Sequence, residues 1–444
     1  MPLITTALLF LSMLRLGEAG PGVLRGHGRH GVRNFARRQG DSALADNDKY
    51  AWVYAVGAGG MIVTSRDAGD TWLPLDSGVS VDLLDVMFID ARNGLVVGAD
   101  STVLSTGNLG NEWEALDIQL PHSARLNGVW IMVSGGPTYI VGEKGLFISS
   151  GDGEEFEHTS LVCTTPGTEC TETAFIGANT SSSLNLFGAR FRDPDNGILV
   201  GDNGTVIIVR GGSAEGHRTF HLEKPVQVKL PSMNKFPDFY SISNDELGDM
   251  VASGTFGVVL QLMPFSREKD DGVDWKLSAS TVPTSEGFVD LTGDSSVMLP
   301  GTDSEEVGLR SSVVMNMDVN RIKTILVTGS GGYCGVFDGT TWKRGNSDLF
   351  KTESDYVLGY MPTKNTVILA TNTGKMYKSN DAGATFKKMD TSMVDKKWEQ
   401  GITVYKIFGR NADQSSQGIR RVMSPAISLA LVVTSLFVPL FTHL

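Results

Sequence analysis

Cysteine is scarce in this chain, with three in 444 residues, which excludes a fold stapled by a disulfide framework. Helical signals are missing as well. Residues 50–400 carry no heptad pattern and no long amphipathic helix, so a helical bundle is excluded. No G-x-S-x-G elbow, P-loop or dinucleotide fingerprint occurs in a fitting context. The glycine-rich phrases that do occur precede strand-like runs, which offer no helix N-terminus to a phosphate. His217 and His221 form an H-x-x-x-H spacing, but on a strand that is only a same-face pair. No Cys, Asp or Glu stands near them with zinc-site spacing. No metal and no cofactor is expected.

Positive charge is lacking in the body of the chain. The net charge is −12, yet residues 1–40 hold six Arg against one Glu, and Arg420 and Arg421 add to the other end. Residues 41–418 are therefore more acidic than the whole. Nucleic acid is not expected as a partner, because phosphate binding needs clustered Lys and Arg.

What the chain has in quantity is glycine, 52 residues of it, with 16 prolines, and this suits an all-β fold with many turns. One phrase, S-x-D-x-G-x-T followed by an aromatic, occurs twice. The first copy is Ser65, Asp67, Gly69, Thr71 and Trp72; the second is Ser379, Asp381, Gly383, Thr385 and Phe386. Asp tolerates tight turns and accepts bonds from the amides of its own turn. Gly supplies a positive φ, and the aromatic enters the next strand. Asp67 and Asp381 therefore read as turn staples rather than as catalytic acids.

A second phrase, strand–glycine turn–strand, recurs seven times. The copies begin at Val56-Gly57, Val97-Gly98, Val141-Gly142, Val200-Gly201, Ala252-Ser253-Gly254, Thr328-Gly329 and Ala370-Thr371. Most lie on the order of 40–60 residues apart, the spacing of four-stranded blades. The expectation is an all-β, seven-bladed β-propeller with four-stranded antiparallel blades over residues 49–405. The long gap before Thr328 holds Val297–Gly301, which leaves an eighth blade open. Trp72, Trp113, Trp275 and Trp342 fall where blades end and read as packing between blades.

Upstream of two hairpins lies a longer shared phrase, F-x-D-x-x-N-G-x-x-V-G. One copy runs from Phe88 through Asp90, Asn93 and Gly94 to Gly98. The other runs from Phe191 through Asp193, Asn196 and Gly197 to Gly201. Together with the Asp-box, this resembles the photosystem II stability/assembly factor family, and the resemblance covers about residues 50–390. It implies a seven-bladed propeller that acts without catalysis. It also implies a role in holding a photosystem II subunit during assembly, in the thylakoid lumen. Asp-boxes also occur in sialidases and sortilin-type receptors.

The ends carry addresses. Residues 1–19 resemble a secretory signal peptide, and residues 20–48 form a basic segment, either transit-like or a basic disordered arm. Residues 406–424 make a polar spacer before an apolar tail, 425–444, whose core Pro425–Phe441 is nearly uninterrupted. With Asn411 and Ser416 as candidate attachment sites this fits a GPI signal, and a tail anchor is the alternative. Either reading places the propeller on a membrane, lumenal or extracellular, with the plastid lumen as the alternative location. Asn179 and Asn203 are candidate glycosylation sites, and Cys163 and Cys170 flank a turn-rich loop where a disulfide is expected in an oxidising compartment. Cys334 reads as a small buried residue.

Catalysis has little support. A sialidase clamps a carboxylate with three arginines. The candidates Arg66, Arg92, Arg125, Arg190, Arg192, Arg210 and Arg310 lack that family's context. The expected function is a monomeric, non-catalytic scaffold for a protein partner, with a membrane-complex subunit as the candidate. A cell-surface module that binds protein or glycan is the alternative, and a sialidase-like hydrolase the third reading.

Overall fold

A computed structural model describes residues 52–410 with interruptions. Outside the described residues lie 1–51, 91, 119, 121–122, 133–136, 152–155, 159–160, 164–183, 215–216, 223–225, 228–235, 246–247, 267–272, 282–288, 291–308, 317–322, 345–355, 363–364, 395–402 and 411–444. The leader and basic segments, Cys170 and hence its pairing with Cys163, Asn179, Val297–Gly301, Asn411, Ser416 and the apolar tail all fall there.

The described residues form seven sheets, antiparallel apart from one added parallel strand in blade four, and these are the blades of a propeller. Each predicted hairpin phrase is the turn between the second and third strands of one blade. The inner strands are Val404–Arg410 in blade one, Leu83–Phe88 in two, Leu126–Ile131 in three and Leu186–Asp193 in four. They continue with Phe239–Asn244 in five, Leu309–Asn316 in six and Val357–Tyr360 in seven. Every inner strand packs beside the next, and that of blade seven packs beside that of blade one, so the ring is closed. Ser312 of blade six donates its amide to Ser241 Oγ of blade five at 3.1 Å. The two blades therefore adjoin directly, and no eighth blade stands between them.

Five blades are four-stranded, and two are extended. In blade four, Leu161–Cys163 pairs in parallel with the fourth strand, His217–Leu222, and Val226–Gln227 flanks the third. Blade five gains Val289–Asp290 outside its fourth strand. The second strands are apolar on both faces, as in Val53–Val56 and Ile368–Ala370, because each lies between two neighbouring blades. The core is accordingly a series of layers between blades. Trp72 and Trp275 are buried in such layers, and Trp113 and Trp342 pack against them.

The F-x-D-x-x-N-G phrase has a packing reason. Phe88 stacks on Tyr54 of the preceding blade with ring centroids 4.0 Å apart, and Phe191 stacks on Tyr139 at 3.7 Å. Asp90 Oδ1 accepts the amides of Arg92 and Asn93, both at 2.7 Å. Asp193 does the same for Asp195 and Asn196. A Cβ on Gly94 or Gly197 would stand 2.7 or 2.5 Å from the phenylalanine ring, so only glycine leaves the ring its place.

The hairpins between second and third strands lean on the start of the next inner strand. Gly59 donates to Asp82 Oδ1, Ser101 to the Ala124 carbonyl, Gly145 to Leu184 and Gly204 to Pro237. These hairpins and the starts of the inner strands therefore share one face, here called upper. The inner strands end at the lower face. In blade one Trp52 pairs with Arg410, so the described chain both begins and ends at the lower face.

Candidate functional site

The two Asp-boxes sit at the lower face, between third and fourth strands. In blade one, Ser65 Oγ donates to Asp67 Oδ1 at 2.8 Å and accepts the Gly69 amide at 2.7 Å. Asp67 accepts the Thr71 amide at 2.8 Å and the Thr71 hydroxyl at 2.6 Å. Blade seven repeats the pattern with Ser379, Asp381, Gly383 and Thr385. Partial burial pushes the Asp67 carboxyl up, but the Thr71 hydroxyl and amide and the Ser65 hydroxyl outweigh it and hold it below its ordinary range. The hydroxyls of Thr385 and Ser379 hold Asp381 down to about 2. A carboxylate whose lone pairs are filled by its own turn is poorly placed to act as an acid or base. Trp72 caps the first clasp by donating Nε1 to the Gly69 carbonyl at 3.1 Å. Phe386 packs on the core layer between blades six and seven.

A third clasp escaped the sequence reading. Thr106, Asn108, Gly110 and Glu112 of blade two occupy the same spacing before Trp113. Gly110 donates to Thr106 Oγ1 at 3.0 Å and Glu112 donates its amide to Asn108 Oδ1 at 3.0 Å. Asn108 Nδ2 then donates to Glu112 Oε2 at 2.9 Å, reversing the direction of the Thr-to-Asp bond. The spacing T-x-N-x-G-x-E-W was the available signal.

The upper mouth of the central channel holds the more informative cluster. Six inner strands slip register against their second strand just after they begin. The skipped residues are Leu84, Asn127, Phe187, Tyr240, Arg310 and Tyr405. A bulge leaves one residue without a partner and re-aims its side chain. In blades two to six the residues on either side are buried, whereas each skipped residue is accessible. Tyr356 heads the seventh inner strand, which shows no such slip.

These residues touch around the ring. The Phe187 and Tyr240 centroids are 5.1 Å apart. The Arg310 guanidinium lies 4.0 Å over Tyr240 and 5.6 Å from the Tyr356 ring. Asn127 Nδ2 donates to the Leu186 carbonyl at 2.9 Å. Opposite, Tyr405 donates its hydroxyl to Asp82 Oδ2 at 3.1 Å, and Arg125 stands 4.0 Å from the same oxygen and 5.9 Å over the Tyr405 ring. The mouth thus has two halves. In one, Asp82 answers both Arg125 and Tyr405. In the other, Arg310 is exposed and lies between two tyrosines with no acidic partner among the described residues. Burial raises the Tyr240 hydroxyl, Arg310 opposes that, and Asp238 adds to it.

Deeper in the channel, Asp85 is buried and accepts the amides of Val86 and Val129 at 3.0 Å, with Lys406 Nζ at 3.5 Å. Arg190 lies 4.8 Å over Trp130 and donates to the Ala189 carbonyl at 2.7 Å. Burial lowers its pKa, and the charge of Asp85 works against that. The candidate arginines do not gather into one clamp. Arg66 is at the lower face, over Trp52 and bonded to Asn111, while Arg125, Arg190 and Arg310 each stack on a different aromatic. Among the described residues no three His, Cys, Asp or Glu side chains gather as a metal site. Asn203 stands exposed at an upper hairpin with φ 52 and gives its amide to Asp238 Oδ1 at 2.9 Å. Cys334 is fully buried, and burial pushes its thiol up to about 12.

A family model described as Photosynthesis system II assembly factor YCF48 matches residues 71–183, from the first Asp-box through blade three. Over that stretch the chain is similar to photosystem II assembly factors. Among curated proteins, the Photosystem II assembly lipoprotein Ycf48 of Synechococcus sp. (strain CC9902) is 26% identical over 148 residues. That match covers 33% of this chain and 44% of the relative, so it spans less than half the relative's length. Among solved structures, one described as YCF48 bound to D1 peptide aligns with TM-score 0.44 and 17% identity, covering 69% of this chain and 80% of that one. YCF48 from Cyanidioschyzon merolae aligns with TM-score 0.42 and 18% identity, covering 70% and 85%.

Proposed function

We propose that this chain is a non-catalytic propeller that grips a protein subunit of a membrane complex at its upper mouth, as a photosystem II assembly factor. The observation that carries this is Arg310. Its guanidinium lies 4.0 Å over Tyr240 and 5.6 Å from the Tyr356 ring, with no acidic partner among the described residues, a preorganised donor for a carboxylate or a peptide carbonyl. Phe187 beside it, and the exposed Phe236 leading into blade five, add apolar area for a side chain. The family match and the relative bound to a D1 peptide support a protein as the occupant. The propeller is read as a membrane-held, lumenal monomer. The GPI-type tail favours a second reading, a cell-surface module that uses the same mouth.

Binding of a labelled D1 peptide, followed by anisotropy, tests the proposal. The chain binds it, Arg310→Ala weakens binding at least tenfold, a loss of about 1.4 kcal/mol, and Arg92→Ala at the lower face leaves it unchanged. No binding by the parent chain, or equal binding by the Arg310 variant, removes the reading. Surface labelling of intact cells against plastid localisation of the tagged chain decides between assembly factor and cell-surface module.

A further inference from the structure

The channel below the mouth carries charges that the mouth does not use. Asp85 is buried one residue past the bulged Leu84 of blade two. Its carboxylate accepts the Val129 amide of blade three at 3.0 Å, and Lys406 Nζ of blade one stands 3.5 Å away. Arg190 sits three residues past the bulged Phe187 of blade four, about 10 Å below the mouth at the rise of a strand. Trp130 is three residues past the bulged Asn127 of blade three, hence at the same depth, and its ring centre lies 4.8 Å from the guanidinium.

Arg190 is poorly matched where it stands. A guanidinium has five N–H donors. Among the described residues Arg190 gives one hydrogen bond, to the Ala189 carbonyl at 2.7 Å, and forms no ion pair. The protein around it lowers its pKa by desolvation, and Asp85, two blades away, opposes this only through its field. The side chain is half-buried all the same. A group stripped of bulk water yet still accessible lines an enclosed space, here the channel. The charges do not cancel: Arg190 and Lys406 face Asp85 alone. The other acidic residue of the inner strands, Asp193, is occupied by the amides of its own turn. On blade five, Ser243 stands three residues past the bulged Tyr240, at the depth of Arg190. Its buried hydroxyl has no hydrogen-bond partner among the described residues.

A desolvated cation with idle donors is costly until an anion completes it. Trp130 covers one face of the guanidinium and leaves its edge, whose paired N–H groups match the two oxygens of a carboxylate. A single excess charge suits a monoanion. We propose that the channel binds a carboxylate at Arg190, below the mouth and separate from it. The carboxylate belongs to a small free acid or to an acidic residue of a peptide that enters through the mouth. Its oxygens take the edge of Arg190, Trp130 holds the plane of the guanidinium, and Lys406 adds a second positive charge nearer the mouth.

Nuclear magnetic resonance of the full chain, with nitrogen-labelled arginine and tryptophan, tests this. Sodium acetate is titrated at neutral pH against sodium chloride of equal ionic strength. Acetate shifts the Arg190 Nε–H and Trp130 Nε1–H signals, and the shift saturates, whereas chloride leaves both in place. A D1 peptide that shifts the same signals and is displaced by acetate makes the peptide the source. A D1 peptide that leaves them unmoved makes a free acid the source. No saturable shift with acetate, or an equal shift with chloride, overturns the proposal. Arg190→Lys keeps the charge but loses the fork, and the Trp130 signal of that variant stays still in acetate. Movement as large as in the parent chain also overturns the proposal, and if the variant does not fold, the chloride comparison still decides. Arg310→Ala leaves the acetate response intact, so the two readings fail separately. Loss of D1 peptide binding with the acetate shift preserved removes only the function of the mouth, and the reverse removes only the channel site.

Discussion

The clasps of blades seven and two make one geometry from different chemistry. In blade seven, a carboxylate at Asp381 accepts from Thr385. In blade two, an amide at Asn108 accepts one backbone bond and gives the other bond to Glu112. The residue after the anchor has positive φ in both, at Ala382 and Leu109, and so does the glycine that follows. What is copied around this ring is a set of donors and acceptors at fixed spacing, and side-chain identity is free wherever the bonds survive reversal. Blade one sharpens the lesson, because its clasp also touches a neighbour. Gly69 lies against Ile368 of blade seven, and Asp70 meets Lys378 at 2.7 Å.

The largest effect expected from breaking this comparison is at the glycines. Gly69→Ala imposes φ near 92° on a side chain and places its Cβ 2.9 Å from Ile368 Cδ1. It should cost about 2–4 kcal/mol by urea denaturation. Gly383→Ala meets nothing closer than 3.7 Å and should cost only the backbone term, about 1–2 kcal/mol. Equal losses would show that the contact with blade seven is without effect. Next come the hydroxyl anchors. Ser379→Ala and Thr106→Val each strand a glycine amide, and each should cost about 1–2 kcal/mol despite the different residue types. A neutral Thr106 variant would show that blade two is not a working clasp.

A smaller effect is expected from changing the acceptor. Asp381→Asn alone should lower the melting temperature, and adding Thr385→Glu, which rebuilds the blade-two pairing, should restore part of the loss. No recovery would count against reversible donors. The smallest effect is in acid. The Asp381 carboxyl titrates near 2 in the folded chain and near ~3.9 when unfolded, so its contribution is complete above the higher value and vanishes as pH falls through the lower one. Amide protection at Gly383 should weaken across that window in the parent chain and stay flat in Asp381→Asn.

The architecture was legible because the ring needs the same turn in every blade. Seven glycine-bearing hairpins, from Gly57 to Gly374, had to be written in residues that accept positive φ or a tight corner, and such residues are visible in sequence. The third clasp was missed because Thr, Asn and Glu satisfy the same bonds as Ser, Asp and Thr. The mouth was not legible at all. A bulge is a mismatch in register between two strands, so nothing in Leu83-Leu84-Asp85 or Phe239-Tyr240-Ser241 marks the middle residue as the one that turns to the channel. The widening of blades four and five depends on strands that pair far from where the repeat places them, such as the parallel strand Leu161–Cys163.

Blade one is assembled from opposite ends of the chain, its innermost strand being Val404–Arg410 and its other three starting at Trp52. During synthesis the first three strands wait for the last one, with the edge of Trp52–Gly57 open along its whole length. An open edge of that kind invites pairing with other chains. A message truncated between codons 388 and 404 would yield six finished blades and one sticky seam, so the ribosome must pass the last strand, Val404–Arg410, before the product becomes safe.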